Sequence, residues 1–345
     1  MLRLTKIFGL LVLPFLWSCQ QKTESIFPQK LNLIGEEIKV DLIIAAGDME
    51  IHDNLLIKGR DYEAETAIRI FDLADFSLLT NTIGRGRGPG EVANPAGGVL
   101  DEVNDILWFT DWGKNCIHQF YIDSVLVNPH YKATTSFAID KSWIPTMNMF
   151  YLPSGHIGFT SVMLQKNLVS FMDLSGNLVD SLAIPNKIYP DVWKDAGFSD
   201  VPLICLYVPE KDRMLIVSRH ENKFSVIEMD GTPVFQKEDI PEASDKVFAG
   251  NWERAFYTVE ADKEFIFLVY AGKRMGDFNA EGEFQIKYPN RLLVVDWKGN
   301  YRYDITLDHG VMFATLDKER KRLICDTQDF DNCLVSYDLS GLYKE

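Results

Sequence analysis

Cysteine is scarce in this chain of 345 residues: there are five, at positions 19, 116, 205, 325 and 333. They are too few and too scattered to staple a disulfide scaffold, so the fold must rest on an apolar core. No Cys-x-x-Cys pair occurs. The six histidines (His52, His118, His130, His156, His220 and His309) include no two at a metal-binding spacing within one element, so the sequence does not signal a zinc site. A membrane-spanning run is missing as well. Ile7 to Trp17 is apolar but only 11 residues long, short of the ~20 a bilayer demands. No stretch sustains a 3.6-residue period, which excludes a helix-dominated fold. Basic charge is in deficit, with Lys+Arg 35 against Asp+Glu 50 and a net charge of −15. An acidic surface repels phosphate backbones, so nucleic acid is excluded as the expected partner. The Gly-x-Ser-x-Gly elbow of serine hydrolases does not occur.

What remains is a chain that is 46% hydrophobic and 12% aromatic, ample for a packed core. Its N-terminus reads as an address. Arg3 and Lys6 precede the short apolar stretch, which ends at Leu16-Trp17-Ser18-Cys19. A cationic start and an 11-residue core fit a signal peptide. A small residue before cysteine at the end of such a core resembles a bacterial lipoprotein lipobox, in the relaxed form of Bacteroidota, because Trp17 stands where a small or aliphatic residue is usual. That resemblance implies cleavage before Cys19 and lipidation of its thiol. An ordinary secretory signal with a chance cysteine is the competing reading. Residues 1–18 are then the signal peptide, 19–30 the lipidated N-terminus and tether, and 31–345 the folded domain. Gln20-Gln-Lys22 is not the acidic run that the resemblance associates with surface export. The expected location is therefore the outer membrane facing the periplasm, with surface exposure left open and the lipid as the sole membrane contact.

One element recurs six times: an apolar strand ending in Asp, then a turn and another strand. The aspartates are Asp72, Asp123, Asp173, Asp230, Asp296 and Asp338, spaced by 51, 50, 57, 66 and 42 residues. Asp173, Asp296 and Asp338 continue as Asp-x-x-Gly, which suits a tight turn. A second strand precedes each copy: Leu55–Lys58, Ile106–Phe109, His156–Phe159, Met214–Val217, Phe265–Tyr270 and Arg322–Cys325. Several of these are apolar at every position, as a strand buried on both faces must be. Spacings near the ~40–50 residues of propeller blades predict an all-β, six-bladed β-propeller with four-stranded antiparallel blades. The last repeat runs out at Glu345 with no outer strand, and Glu37–Ile43 has no blade of its own. That N-terminal segment is expected to join the last sheet beside Tyr337 and close the ring. Cys325 and Cys333 flank a turn-like segment. A hairpin centred on Asp329 would set them face to face, either as a disulfide or as two buried thiols.

Residues 83–123 resemble an NHL-type propeller repeat. Ile83-Gly-Arg-Gly-Arg-Gly-Pro-Gly-Glu91 supplies the glycine-rich lead, Asn94-Pro95 the proline before the inner strand, and Asp111 and Asn115 the residues around the second turn. The whole chain, with its lipobox and six loose repeats, is similar to the TolB-like six-bladed propeller lipoproteins of Bacteroidota. The resemblance speaks to fold and leaves activity open.

The candidate sites follow from blade anatomy. The glycine-rich segment fails as a phosphate loop: Pro89 and Glu91 fall where GxGxxG needs its third glycine, no Gly-Lys-Ser/Thr is present and no helix follows. It reads as a blade-to-blade crossover, with Arg85 and Arg87 available to an anion. Crossovers and second-to-third-strand loops share one face of a propeller, where function usually resides. On that face the sequence places Trp143, Trp193 and Trp252 in long crossovers, and Trp112 in a loop of blade 2. They either stack on a sugar or peptide or plug the blade tops. Ala271–Asn290 is a long insertion containing Arg274, which reads either as a lid or as a docking element for a partner. The leading expectation is a non-catalytic scaffold for an unknown envelope protein, peptide or glycan. The alternative is a calcium-dependent propeller enzyme of lactonase- or lyase-like type. Resemblance to six-bladed calcium enzymes makes Asp111, Asn115, Glu210, Glu260 and Asp317 the weak metal candidates. No cofactor is otherwise expected.

Overall fold

The computed structural model describes residues 28–59, 65–133, 135–161, 164, 167–183, 203–241, 253–330 and 332–344. The segment expected to be a signal peptide (1–18), Cys19, Trp193 and Trp252 lie outside them. Among the described residues the first strands are β1 (Gln29–Leu33) and β2 (Glu36–Glu37), and six antiparallel blades follow. Blade 1 is β3 (Met49–His52), β4 (Leu55–Gly59), β5 (Thr66–Asp72) and β6 (Leu78–Gly84). Blade 2 is β7 (Pro95–Asp101), β8 (Ile106–Asp111), β9 (Cys116–Tyr121) and β10 (Thr135–Ala138), with the short helix α1 (Ile122–Val127) before its outer strand. Blade 3 is β11 (Thr146–Tyr151), β12 (Ile157–Ser161), β13 (Asn167–Met172) and β14 (Leu178–Ala183). Blade 4 is β15 (Leu203–Val208), β16 (Arg213–Ser218), β17 (Phe224–Glu228) and β18 (Pro233–Lys237). Blade 5 is β19 (Glu253–Ala261), β20 (Phe265–Arg274), β23 (Arg291–Asp296) and β24 (Tyr301–Leu307), with the hairpin β21 (Gly276–Phe278) and β22 (Phe284–Ile286) inserted before β23. Blade 6 is β25 (Phe313–Asp317), β26 (Arg322–Asp326) and β27 (Leu334–Asp338), with β2 as its outer strand. The six-bladed propeller expected from the repeats is the observed architecture.

The core is distributed between the blades rather than inside any one of them. Successive side chains of a strand point to opposite faces, so each second strand feeds two interfaces. In β16, Met214 and Ile216 pack with blade 3, while Leu215 and Val217 pack with blade 5. In β20, Ile266, Leu268 and Tyr270 face blade 4, while Phe267 and Val269 face blade 6. This two-sided burial is why these strands are apolar throughout: every residue of β8 and of β12 is buried. Outer strands meet solvent, as the largely exposed β14 shows.

The Asp-turns take the expected form where glycine follows. Asp173 accepts backbone N–H groups from Ser175 and Asn177, both at 2.9 Å, and Gly176 adopts φ +82°. Asp296 repeats this with Lys298, Asn300 and Gly299. Asp338 accepts from Ser340, but a 3₁₀ turn over Ser340–Tyr343 takes the place of an outer strand. Asp123 departs from the repeat: it lies in the first turn of α1, and the chain reaches β10 only after this helical detour.

The N-terminal segment closes the ring. Glu36 and Glu37 pair antiparallel with Ser336 and Val335, and the Ile38 N–H donates to the Leu334 carbonyl at 3.0 Å. The closing strand is thus shorter than Glu37–Ile43 and sits one step earlier, because Lys39 onward leaves the sheet toward blade 1. Ahead of it, β1 pairs in parallel with β24 and gives blade 5 a fifth strand. Cys325 and Cys333 do not face each other. The β26–β27 ladder sets Cys325 against Val335, and the Thr327 N–H donates to the Cys333 carbonyl. The hairpin is therefore centred on Phe330, and both thiols are free and buried.

Candidate functional site

The first strand of each blade lines the axis, and together they enclose a central cavity of about 300 Å³. Its wall includes Glu50, Gly97, Asn148, Cys205, Arg219 and Thr258. Three inner strands carry register shifts, β7, β11 and β19, the last of them between Arg254 and Thr258. Ladder register shifts between Pro95 and Gly98 and between Met147 and Phe150, where Gly97 (φ +98°) and Asn148 (φ +46°) take left-handed backbone. The Asn148 bulge is used: its Nδ2 donates to Thr160 Oγ1 at 2.9 Å and to the Leu203 carbonyl of blade 4 at 3.2 Å. Arg219, from the β16–β17 loop, donates to the Tyr257 carbonyl at 3.4 Å and marks the loop-rich end of the channel. Sequence reading did not single out Arg219, because nothing in its local pattern places it at the axis.

Carboxylates gather toward the other end. Glu50 faces the channel, where solvent reaches it but protein encloses it. Loss of bulk water is the main reason its carboxyl is pushed up to about 7, and the charges of Asp48 and Glu102 add to it. Glu260 is pushed up to about 8, again mainly by burial and then by Glu50. Lys318 opposes both shifts. Its Nζ meets Glu210 Oε1 at 2.7 Å, an ion pair that runs from blade 6 to blade 4 past blade 5. Glu210 and Glu260 therefore share one end of the axis. Asp317 is held apart from them by Arg322 Nε at 2.8 Å and by Arg320. Asp111 and Asn115 lie at the β8–β9 turn, on the opposite face.

The rim residues divide. Trp143 packs in the interface of blades 2 and 3, its ring stacked on Phe159 at 5.7 Å. Trp112 is half-buried, and its Nε1 donates to Thr146 Oγ1 at 3.4 Å, tying blade 2 to blade 3. The glycine-rich segment is a tight crossover: the Gly88 N–H donates to Glu91 Oε2, and Lys114 Nζ donates to the carbonyls of Gly88 and Glu91. Gly90 has φ +72°, and a Cβ there would come within 2.4 Å of Lys132 Cβ. Arg87 is exposed and Arg85 half-buried, and neither belongs to the channel wall. Arg274 ends β20, opposite Glu253. In the hairpin just beyond, Phe278 is 59% exposed and meets Phe284 edge-on.

The described residues also bring together a group that sequence spacing did not reveal. Asp111 stands directly across the β8–β9 ladder from Cys116, and His118 is two residues along the same face of β9. Cys116 Sγ lies 3.3 Å from His118 Nε2, and Asp111 Oδ2 lies 3.7 Å from the same nitrogen. Burial raises the Cys116 thiol to about 11 and lowers His118. A second group, His52, Asp53 and Asp105, sits at the junction of blades 1 and 2, with His52 Nε2 2.9 Å from Asp105 Oδ1. The signals available in the sequence were a cysteine and a histidine two apart on a buried strand, but the third member arrives only through ladder register.

No family model and no curated protein matches the chain. Its fold is shared by solved structures at low identity. A DUF4221-family member from Bacteroides vulgatus superposes with TM-score 0.63 at 9% identity, covering 88% of this chain and 96% of its own. A Bacteroides fragilis protein described as exported superposes with TM-score 0.57 at 8% identity, covering 90% and 99%. The WD40 repeats of RRP9 superpose with TM-score 0.52 at 9% identity, covering 88% and 96%. No helix among the described residues is long and apolar enough to cross a membrane. The chain therefore folds as a six-bladed β-propeller, and at the level of fold alone it is similar to the DUF4221-family and exported Bacteroides structures.

Proposed function

We propose that this protein is a TolB-like lipoprotein of the bacterial envelope. It is anchored through Cys19 and acts as a scaffold that binds a protein, peptide or glycan partner on its loop-bearing face. The observation that carries this reading is the build of that face. Crossover 85–94, the β8–β9 turn with Trp112, the β16–β17 loop with Arg219 and the β21–β22 hairpin with exposed Phe278 all stand on one side of a rigid ring. Variable loops on a fixed frame are the usual carriers of recognition. The exported Bacteroides protein of the same fold supports an envelope location. The anchor is compatible with the topology: residues 20–28 link Cys19 to β1 at the outer edge of blade 5, so a lipid would hold the ring by its rim.

Two experiments test the reading. Intact-mass analysis of the chain expressed in a Bacteroidota host should find the diacylglyceryl group on Cys19, and Cys19→Ala should move the chain to the soluble fraction. A glycan and peptide array should yield a saturable ligand whose affinity falls at least tenfold in Phe278→Asp or Arg219→Gln. Turnover on a lactone or glycoside panel, with no ligand captured, would overturn the scaffold reading.

A further inference from the structure

We infer that Asp111, Cys116 and His118 form a binding site for one borderline divalent cation of the zinc type, on the loop-bearing face of blade 2. The three donor atoms are a carboxylate oxygen, a thiol sulfur and an imidazole nitrogen, all within 4.8 Å of one another. The spacing matches an ion's demands. A tetrahedral zinc with Zn–S of about 2.3 Å and Zn–N or Zn–O of about 2.0 Å sets sulfur and nitrogen roughly 3.5 Å apart, and nitrogen and oxygen roughly 3.3 Å apart. The observed separations are 3.3 Å for Cys116 Sγ to His118 Nε2 and 3.7 Å for His118 Nε2 to Asp111 Oδ2.

The supporting shell is in place. His118 Nδ1 is 2.7 Å from Ser136 Oγ on β10, which turns Nε2 toward the other two ligands. Asp111 is fixed by four backbone N–H groups, from Ala93, Asn94, Gly113 and Lys114 at 2.7 to 3.2 Å. Ligating histidines and carboxylates are held by outer partners of this kind in known metal sites. His118 is 4% exposed and Asp111 fully buried, whereas Cys116 is half-buried, so the group opens to solvent on the sulfur side. Three protein ligands leave a fourth position for water. The donor set favours zinc or cobalt over calcium or magnesium, which require oxygen shells. Binding breaks the Cys116 S–H bond and forms a metal–thiolate bond, the proton passing to solvent. The ion's two positive charges are met by one thiolate and one carboxylate.

The test uses the full chain and cobalt(II) as the probe, with zinc as competitor. One equivalent should bind, with the visible bands of a tetrahedral centre and a near-ultraviolet thiolate-to-cobalt band, and zinc should displace it. Cys116→Ser should abolish the charge-transfer band, and His118→Gln should lower affinity at least 100-fold. Ser136→Ala should weaken binding by about 10- to 100-fold, the usual effect of losing an outer partner. Cys205→Ser and His52→Ala, the latter in the other His/Asp group, should change nothing. Asp111→Asn is a poor probe because it also removes the cap of the crossover. Absence of a thiolate band at one equivalent, or a band that survives both Cys116→Ser and His118→Gln, would overturn the assignment. This result is independent of whether the face binds a partner.

Discussion

Lys58 of blade 1 and Asp326 of blade 6 form a fully buried ion pair, with Lys58 Nζ 2.8 Å from Asp326 Oδ1. The pair joins the first and last blades of the ring, 268 positions apart in the chain. Asp326 also accepts the Gly47 N–H at 2.7 Å and the Cys333 thiol at 3.3 Å. Burial draws its carboxyl upward, and Lys58 and the other donors draw it back. Removing one partner strands a charge in the core, which costs about 3–5 kcal/mol. Asp326→Leu and Lys58→Met should each lower unfolding free energy by about that much in urea titrations. The double variant should recover only part of the loss: an apolar pair replaces the stranded charge, but the buried Gly47 N–H still lacks its acceptor.

Glu50 and Glu260 make stability depend on pH in a stated direction. Both carboxyls are raised in the fold, to about 7 and about 8 from an ordinary 4.5. The protonated forms are therefore favoured by folding. Their contribution is complete below pH 4.5 and drains away as pH rises through 7 and 8. Glu50→Gln and Glu260→Gln should raise the melting temperature relative to the unmodified chain at pH 9 and leave it nearly unchanged at pH 4.5. Lys318→Met should steepen the decline, since Lys318 is the cation that favours the ionised forms. Differential scanning calorimetry across this range checks both.

Gly158 on β12 has no room for a side chain. A Cβ there would lie 2.3 Å from Phe150 ring atoms. The ring cannot yield freely, because it is stacked on Tyr207 at 5.6 Å and meets Phe171 edge-on. Gly158→Ala should destabilise by about 1–3 kcal/mol through overpacking. Adding Phe150→Leu should relieve part of that cost, a coupling visible in a double-mutant cycle.

The parts of this molecule that follow from local pattern are the blades. Met214 to Val217 reads as buried on both faces because alternate residues enter two different interfaces, and that leaves an all-apolar signature. The Asp173 and Asp296 turns carry their own chemistry in four residues. Hidden parts depend on register or on distant closure. Asp111 meets Cys116 only because of how β8 and β9 are aligned. Cys325 misses Cys333 because the hairpin is centred on Phe330 rather than Asp329. Strand β1 is a mixed edge strand, QKLNL, with no continuous apolar run to announce it. Closure itself was legible in outline, because the last repeat lacks an outer strand and the segment near Glu37 has no blade of its own, but the Lys58–Asp326 pair that accompanies it was not, since its partners lie 268 positions apart.

Amide hydrogen exchange in the full chain tests the ring closure most directly. In an antiparallel ladder, N–H groups alternate between the two neighbours, so those of Leu334 and Ser336 point toward Ile38 and Glu36. These two amides should exchange as slowly as those of the interior strand β23. Exchange at the rate of an unpaired edge strand, with Val335 still protected by β26, would contradict closure by the N-terminal strand.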